Sequence, residues 1–192
     1  MGPPIDLQHT ILNSLRQCPE SLFIFDDVEE IPSGIVNYIV HMLNHNVVLD
    51  GVSLSKAMFV FITNVGGVEI SNILLNMLKN GKTREEADYY DFERALQLAS
   101  YKYENTGFFR SHLVDSHVVD YYIPFLPLEA SHVRSCIMQE FSLYNITKSQ
   151  IDEDILRMVM KHVTFEEIFV NGGCKRISKK VAAIVRDHFL HL

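Results

Sequence analysis

The chain has 192 residues, of which 47% are hydrophobic, 10% aromatic and 21% charged. This composition indicates a globular protein with a sizeable core and excludes a disordered, collagen-like or coiled-coil chain. The formal net charge of −7 makes nucleic acid an unexpected partner, because phosphate backbones attract basic surfaces. No apolar run reaches the roughly 18 residues of a transmembrane segment, and the N-terminus lacks the basic and apolar regions of a signal peptide.

The first part of the chain predicts an α/β fold. Apolar residues recur at helical spacing over residues 5–17, which predicts an amphipathic helix. Residues 21–25 and 57–63 are short apolar runs, typical of strands buried on both faces. A helical pattern over residues 35–43 lies between them. Two buried strands joined by a helix predict a parallel sheet with a right-handed crossover.

Two more helices and a strand-like stretch follow. The apolar spacing predicts a helix over residues 70–78 that stops at Gly81, and another inside residues 84–103. Residues 118–123 form an apolar, strand-like stretch that ends in a proline-containing segment. We place a domain boundary after Pro127, so that residues 1–127 form the α/β part.

Beyond this boundary, residues 128–192 are predicted to form a small all-helical domain. The apolar spacing predicts helices over residues 129–142, 148–162 and 174–190. Thr147 and Gln150 read as a capping box that opens the second of these helices.

Polar side chains follow both predicted strands. Asp26 and Asp27 come directly after the first strand, and ligands of open α/β sheets lie outside the carboxyl ends of the strands. One carboxylate can hold Mg²⁺ and its neighbour can position or deprotonate an attacking water. The alternative is that both aspartates only end the strand and cap the next helix. Asn64 ends the second strand and would lie beside Asp26 if the strands are neighbours, where its amide could orient a water against a phosphate.

Several sequence blocks carry a family resemblance, and two are the most specific: DYYIPFLPLE over residues 120–129 and GCK over residues 173–175. The others are SLFIFDD with a following SG, DGVS with KAMFVFITN, and GKTREE. On these blocks the chain resembles the torsins, which are AAA+ ATPases of the Clp-like branch in the endoplasmic reticulum lumen and nuclear envelope. The resemblance implies a partial AAA+ large domain over residues 1–127 and a helical lid domain over residues 128–192.

The resemblance also implies roles for individual residues. Asp26 would be the Walker B magnesium residue, Asn64 the first sensor, and Lys175 the second sensor cation facing the γ-phosphate, with Gly173 and Cys174 beside the nucleotide. ATP and Mg²⁺ are the implied cofactors. The implied partners are other torsin-like subunits and membrane-anchored luminal activators of the lamina-associated polypeptide type.

Two further features gain meaning from the resemblance. It makes Cys136 a candidate redox partner of Cys174, although both cysteines also fit a simpler interpretation as small buried hydrophobic residues. The sequon Asn145-Ile146-Thr147 offers an N-glycosylation site at Asn145 that is compatible with luminal residence.

The chain departs from the family in two ways. Nothing before Ser21 matches the phosphate-binding GxxxxGK[ST] motif, so we expect residues 1–192 to be the C-terminal portion of a longer torsin-like protein and to bind ATP weakly or not at all. Asp27 stands where AAA+ ATPases have glutamate, a carboxylate shorter by one methylene. Two functions therefore remain: an ATPase that remodels proteins, and a non-hydrolysing interaction module with a torsin surface.

Overall fold

A computed structural model describes residues 4–32, 34, 35, 39, 42, 43, 48–102 and 118–189. The chain divides into two compact units, Met1–Phe125 and Leu126–Leu192. Their assignment to an AAA+ large domain and an AAA+ lid domain stays a prediction.

The first unit opens with helix α1 (Pro4–Gln17), as its apolar spacing predicts. Strand β1 (Leu22–Phe25) follows. A short hairpin of β2 (Val48–Leu49) and β3 (Val52–Ser53) was not predicted, although its turn sequence Asp-Gly is a strong hairpin signal. Strand β4 (Met58–Phe61) is the last strand of the first unit among the described residues.

Strands β1 and β4 pair in parallel, which confirms the predicted pairing. The register runs from Leu22 opposite Met58 to Phe25 opposite Phe61. Four phenylalanine rings share the inner face and stack with centroids 5.2–6.4 Å apart. Three of these rings pack against the buried side of α1, at Ile11, Leu12 and Leu15.

The prediction that both strands are buried on both faces is wrong. Only the phenylalanine face is covered, and the side chains at alternate positions, from Leu22 to Val60, are exposed on the other face. The reason is that, within the described residues, α1 covers the phenylalanine face alone.

Two helices follow the strands, close to their predicted positions. Helix α2 (Gly67–Lys79) packs against helix α3 (Tyr89–Lys102). A single 3₁₀ turn at Arg84–Glu86 precedes α3. The helix predicted over residues 35–43 is helical at residues 34, 35, 39 and 42, and the rest of it lies outside the described residues.

The strand-like prediction for residues 118–123 is wrong. This segment is irregular, and Tyr122 donates its backbone N–H to the Tyr89 hydroxyl at 3.3 Å rather than to a neighbouring strand. The apolar sequence here covers Val28 instead, with Val118 and Val119 packed against it.

The second unit contains α4 (Ala130–Ser142), α5 (Glu153–Met160) and α6 (Ile177–His188). It is not all-helical as predicted, because β5 (Phe165–Glu166) and β6 (Phe169–Val170) form an antiparallel hairpin. Glu167, in the turn of this hairpin, has a positive φ of 54°.

The predicted helix over residues 148–162 is also shorter than expected. The capping box of Thr147 and Gln150 is present, but it opens a single 3₁₀ turn at Lys148–Gln150. The α-helix starts after Asp152, whose carboxylate accepts the Ile155 N–H at 2.8 Å. A second cap within the predicted helix therefore splits it in two.

The helices of the second unit enclose its own core. Fully buried side chains come from α4 and α6, with support from α5 and β6, and they include Val133, Ile137, Phe141, Val159, Val181 and Val185. Among the described residues of the whole chain, none of the helices has the length and apolarity to cross a membrane.

Among the glycines that the structure describes, Gly66 is the one at which an added side chain would meet its neighbours most closely. Its φ is +89°, and a Cβ there would lie 2.6 Å from the Leu96 Cδ2 atom on α3. We expect Gly66→Ala to lower the free energy of unfolding by about 2 kcal/mol, mainly through the left-handed backbone. The neighbouring Gly67→Ala is the matched control, because open space surrounds its Cβ position, and it should be neutral or stabilising. Equal losses in urea denaturation would contradict this account.

Candidate functional site

The candidate site lies where β1 and β4 end at the same edge of the sheet. Backbone pairing continues past both strands, because Ile62 N–H donates to the Phe25 carbonyl at 2.8 Å and Val28 N–H donates to the Ile62 carbonyl at 3.1 Å. These two bonds hold the turn after β1 against the residues after β4. They bring Asp26 and Asp27 to the same edge as Asn64, as the sequence predicts.

The two aspartates form an exposed, left-handed turn. Asp26 Oδ1 accepts the backbone N–H of Asp27 at 3.0 Å, and Asp27 has φ 48° and ψ 50°. Asp27 precedes a 3₁₀ turn at Val28–Glu30, yet its side chain makes no capping bond to that turn. The alternative that Asp27 only caps the next helical turn is therefore wrong for its side chain.

Glu29 is the central residue of this edge, and no pattern in the sequence predicted its role. Its Oε1 accepts two hydrogen bonds from Asn64, from the backbone N–H at 3.0 Å and the side-chain Nδ2 at 2.8 Å. Its Oε2 accepts the Thr63 hydroxyl at 2.7 Å, and that hydroxyl in turn accepts the Val65 N–H at 3.1 Å. One carboxylate thus fixes the whole segment that leaves β4.

The same contacts change the charge state of Glu29. Its partial burial raises the pKa of the carboxyl group, but the hydrogen bonds from Thr63 and Asn64 outweigh burial and hold that pKa below its usual value of 4.5. Glu29 is therefore a stable carboxylate at neutral pH. Its partners lie 34 and 35 residues away, so no local spacing in the sequence could have revealed it.

The residues at this edge could hold a Mg²⁺ ion only if phosphate oxygens supplied some of its other ligands. Asp26 and Asp27 supply the hard oxygen ligands that Mg²⁺ prefers, and such sites often use one or two carboxylates together with substrate phosphates. Within the described ranges, the structure contains no group of three or more metal-ligating side chains. One N–H of the Asn64 side-chain amide donates to Glu29, so a phosphate or a water would be contacted by its second N–H or by its oxygen.

The remaining predicted site residues belong to the second unit. Gly173 has a positive φ of 57°, and Lys175 is exposed in the turn before α6. Cys136 on α4 and Cys174 in that turn are joined in a disulfide, with Cα atoms 6.4 Å apart. Cys18, in the first unit, is a free, exposed thiol.

Asn145 lies in an exposed turn after α4. Its φ is 59°, and the next residue, Ile146, is buried and donates its N–H to the Phe141 carbonyl at 3.3 Å. Thr147, the third residue of the sequon, is exposed as well. The turn thus presents the Asn145 side chain to solvent while Ile146 anchors it to the core.

Comparison with known proteins finds relatives that are identical to this chain at about a third of the aligned residues. No protein-family model matches the chain. It is 34% identical to the Torsin-like protein of Drosophila melanogaster over 186 residues, covering 94% of this chain and 54% of that protein. It is 32% identical to Torsin-3A of Rattus norvegicus over 182 residues, covering 94% of this chain and 46% of that protein.

The chain therefore belongs to the torsin family. Torsin homology in turn suggests the AAA+ class of ATPases. The chain spans about half the length of the curated relatives that it matches.

Glu29 should stabilise the first unit in a pH-dependent way. We expect Glu29→Gln to lower the free energy of unfolding by about 1 kcal/mol at pH 7, because the amide leaves one of the Thr63 and Asn64 donors without an acceptor. The folded pKa lies below the unfolded one, so the wild-type advantage is present above about pH 4.5 and shrinks as pH falls through the folded pKa. Urea denaturation from pH 7 to pH 3 measures this, with exposed Glu30→Gln as the control. A difference that does not change with pH would contradict the prediction.

The disulfide should stabilise the second unit. It closes a loop of 38 residues, for which chain-entropy arguments give about 3–4 kcal/mol. We expect Cys136→Ser to lower the unfolding free energy under oxidising conditions by about this amount, whereas Cys18→Ser should have little effect. Thiol titration of the oxidised, denatured wild-type chain should find one thiol. A count of three would show that the disulfide does not form.

Proposed function

We propose that this chain is the part of a torsin-type AAA+ ATPase that carries the Walker B and sensor residues, and that the whole protein couples ATP hydrolysis to protein remodelling in the endoplasmic reticulum lumen and nuclear envelope. The observation that supports this most strongly is the edge at which Asp26, Asp27 and Asn64 follow two paired parallel strands. That is where open α/β sheets bind their ligands.

Each residue of the edge has a proposed role. Asp26 would hold Mg²⁺, which when bound neutralises phosphate charge. Asp27 would position the attacking water or take its proton, and Asn64 would orient that water, with Glu29 fixing the Asn64 backbone. In the second unit, we propose Lys175 as the second sensor cation. Gly173, two residues earlier, is proposed to contact the nucleotide.

A luminal setting is consistent with two features of the second unit. The disulfide between Cys136 and Cys174 would persist in an oxidising compartment and not in the cytosol, and it is the proposed redox element. Asn145 is exposed and is the proposed site of an N-linked glycan. Other torsin-like subunits and luminal domains of lamina-associated-polypeptide-type activators are the proposed partners.

A second candidate function is a torsin-like interaction module that does not hydrolyse ATP. Two observations favour it. Residues 1–192 contain no GxxxxGK[ST] motif, and Asp27 stands where AAA+ ATPases have glutamate.

A chimaera distinguishes the two functions. In the chimaera, this chain replaces the aligned region of the Drosophila Torsin-like protein, and the rest of that protein is kept unchanged. We expect the chimaera to hydrolyse ATP in the presence of Mg²⁺ and Asp26→Asn to abolish this activity. Asp27→Glu should raise the rate of ATP hydrolysis by up to about 100-fold, because a displacement of a catalytic group by about 1 Å can change a rate by this factor.

Asp50→Asn is the matched control, because Asp50 is also an exposed aspartate with a φ of 48°, in the turn between β2 and β3. It should leave the rate unchanged. If Asp26→Asn hydrolyses ATP as fast as the unmodified chimaera, the ATPase assignment of this edge fails. If the chimaera folds but neither it nor its Asp27→Glu variant is active, the interaction module is the better description.

A further inference from the structure

Glu29 connects the two segments that meet at the candidate site. It lies in the 3₁₀ turn Val28–Glu30, which directly follows Asp26 and Asp27. Its Oε1 atom accepts the backbone N–H of Asn64 at 3.0 Å and one side-chain N–H of Asn64 at 2.8 Å. One carboxylate oxygen therefore holds both the backbone and the side chain of a residue that is 35 positions away in sequence.

The two bonds to Oε1 define the orientation of the Asn64 side chain. The bond to the backbone N–H fixes where the side chain begins, and the bond to Nδ2 fixes the direction of its amide group. A carboxylate oxygen accepts hydrogen bonds and does not donate them, so the Asn64 Oδ1 atom cannot take the place of Nδ2. The Oδ1 atom and the second N–H are the groups through which Asn64 would contact a water or a phosphate.

The second oxygen of the carboxylate is restrained as well. Oε2 accepts the Thr63 hydroxyl at 2.7 Å, and the same hydroxyl accepts the Val65 N–H at 3.1 Å. Both oxygens of Glu29 are thus bonded to the segment that follows β4. Hydrogen bonds to an ionised acceptor are roughly twice as strong as those between neutral groups. Glu29 therefore limits the movement of Asn64 relative to the turn that carries the two aspartates.

We propose that Glu29 is a positioning residue for ATP hydrolysis, which acts through Asn64 and not on the nucleotide itself. The inference rests on the proposed function, because it needs Asn64 to orient the attacking water. A group that orients this water acts mainly in the transition state, so its displacement lowers kcat more than it changes KM. Glu29 holds this group at a fixed position relative to Asp26 and Asp27.

Steady-state kinetics of the chimaera with the Drosophila Torsin-like protein test this role. Glu29→Ala should lower kcat for ATP hydrolysis by about 10- to 100-fold, with little change in KM for ATP. Glu29→Gln keeps one oxygen acceptor for Asn64, so it should lose less of kcat than Glu29→Ala. Glu30→Ala is the matched control, because Glu30 is an exposed glutamate in the same turn, and it should leave both constants unchanged.

A double substitution separates positioning from a general loss of stability. If Glu29 acts through Asn64, Glu29→Ala should have no further effect on kcat in a chimaera that already carries Asn64→Ala, because residues that act as a unit are not additive. A purely structural effect would lower kcat by the same factor in both backgrounds. Thermal unfolding checks the fold of each variant. If Glu29→Ala does not fold, Thr63→Val replaces it, and this variant should lower kcat only when Asn64 is present.

The side-chain amide of Asn64 reports the contact without any nucleotide. In ¹H–¹⁵N spectra of residues 1–192, Glu29→Ala should shift the Asn64 side-chain resonances, because one of these protons loses a charged acceptor. Glu30→Ala should leave them in place. Asn64 resonances that are the same in the wild type and in Glu29→Ala would show that the bond does not form, and would overturn the proposal.

Two kinetic results would overturn the proposal and leave the proposed function intact. One is a chimaera in which Asp26→Asn abolishes hydrolysis while Glu29→Ala keeps the unmodified kcat. The other is a loss of kcat in Glu29→Ala that has the same size with and without Asn64. If the chimaera folds but hydrolyses no ATP, the proposed function fails, and the positioning role of Glu29 fails with it.

Discussion

The parallel pairing of β1 and β4 is the constraint on which the first unit depends. Its register fixes which side chains face α1, which face away, and which residues meet at the carboxyl edge. The pairing continues through the backbone bonds of Phe25, Val28 and Ile62, so the turn after one strand is built against the segment after the other. A slip of one residue would turn the phenylalanine rings to the exposed face of the sheet and separate Glu29 from its donors.

Glu29 converts this backbone geometry into a defined position for Asn64. Its two oxygens accept from three donors that are remote in sequence, and these bonds lower its pKa below the usual value. Part of the polar chemistry at this edge is therefore used to hold the edge together. The charge-assisted bond from one N–H of the Asn64 side chain also orients the second N–H and the oxygen of that amide.

Much of the fold could be predicted from the sequence. Apolar residues at helical spacing predicted helices α1, α2, α3, α4 and α6, and short apolar runs predicted the two paired strands. The misses have local physical causes. Asp152 caps a helix inside a longer apolar pattern, residues 118–123 pack against Val28 without a strand partner, and the β5–β6 hairpin is only two residues on each side. At the candidate site, Asp26, Asp27 and Asn64 could be placed from strand ends alone, whereas Glu29 depends on contacts across 34 and 35 residues.

The left-handed backbone at Asp27 has a consequence for the evolution of the site. Aspartate and asparagine adopt this conformation more readily than other residues with a side chain, because their short polar groups can bond locally. A glutamate at position 27 would reach further toward a substrate but would be less favourable in that backbone, by an amount on the order of 1 kcal/mol. A longer side chain at this position would reach further toward a substrate, but it would make the backbone conformation less stable. The aspartate has the shorter reach and the more stable backbone.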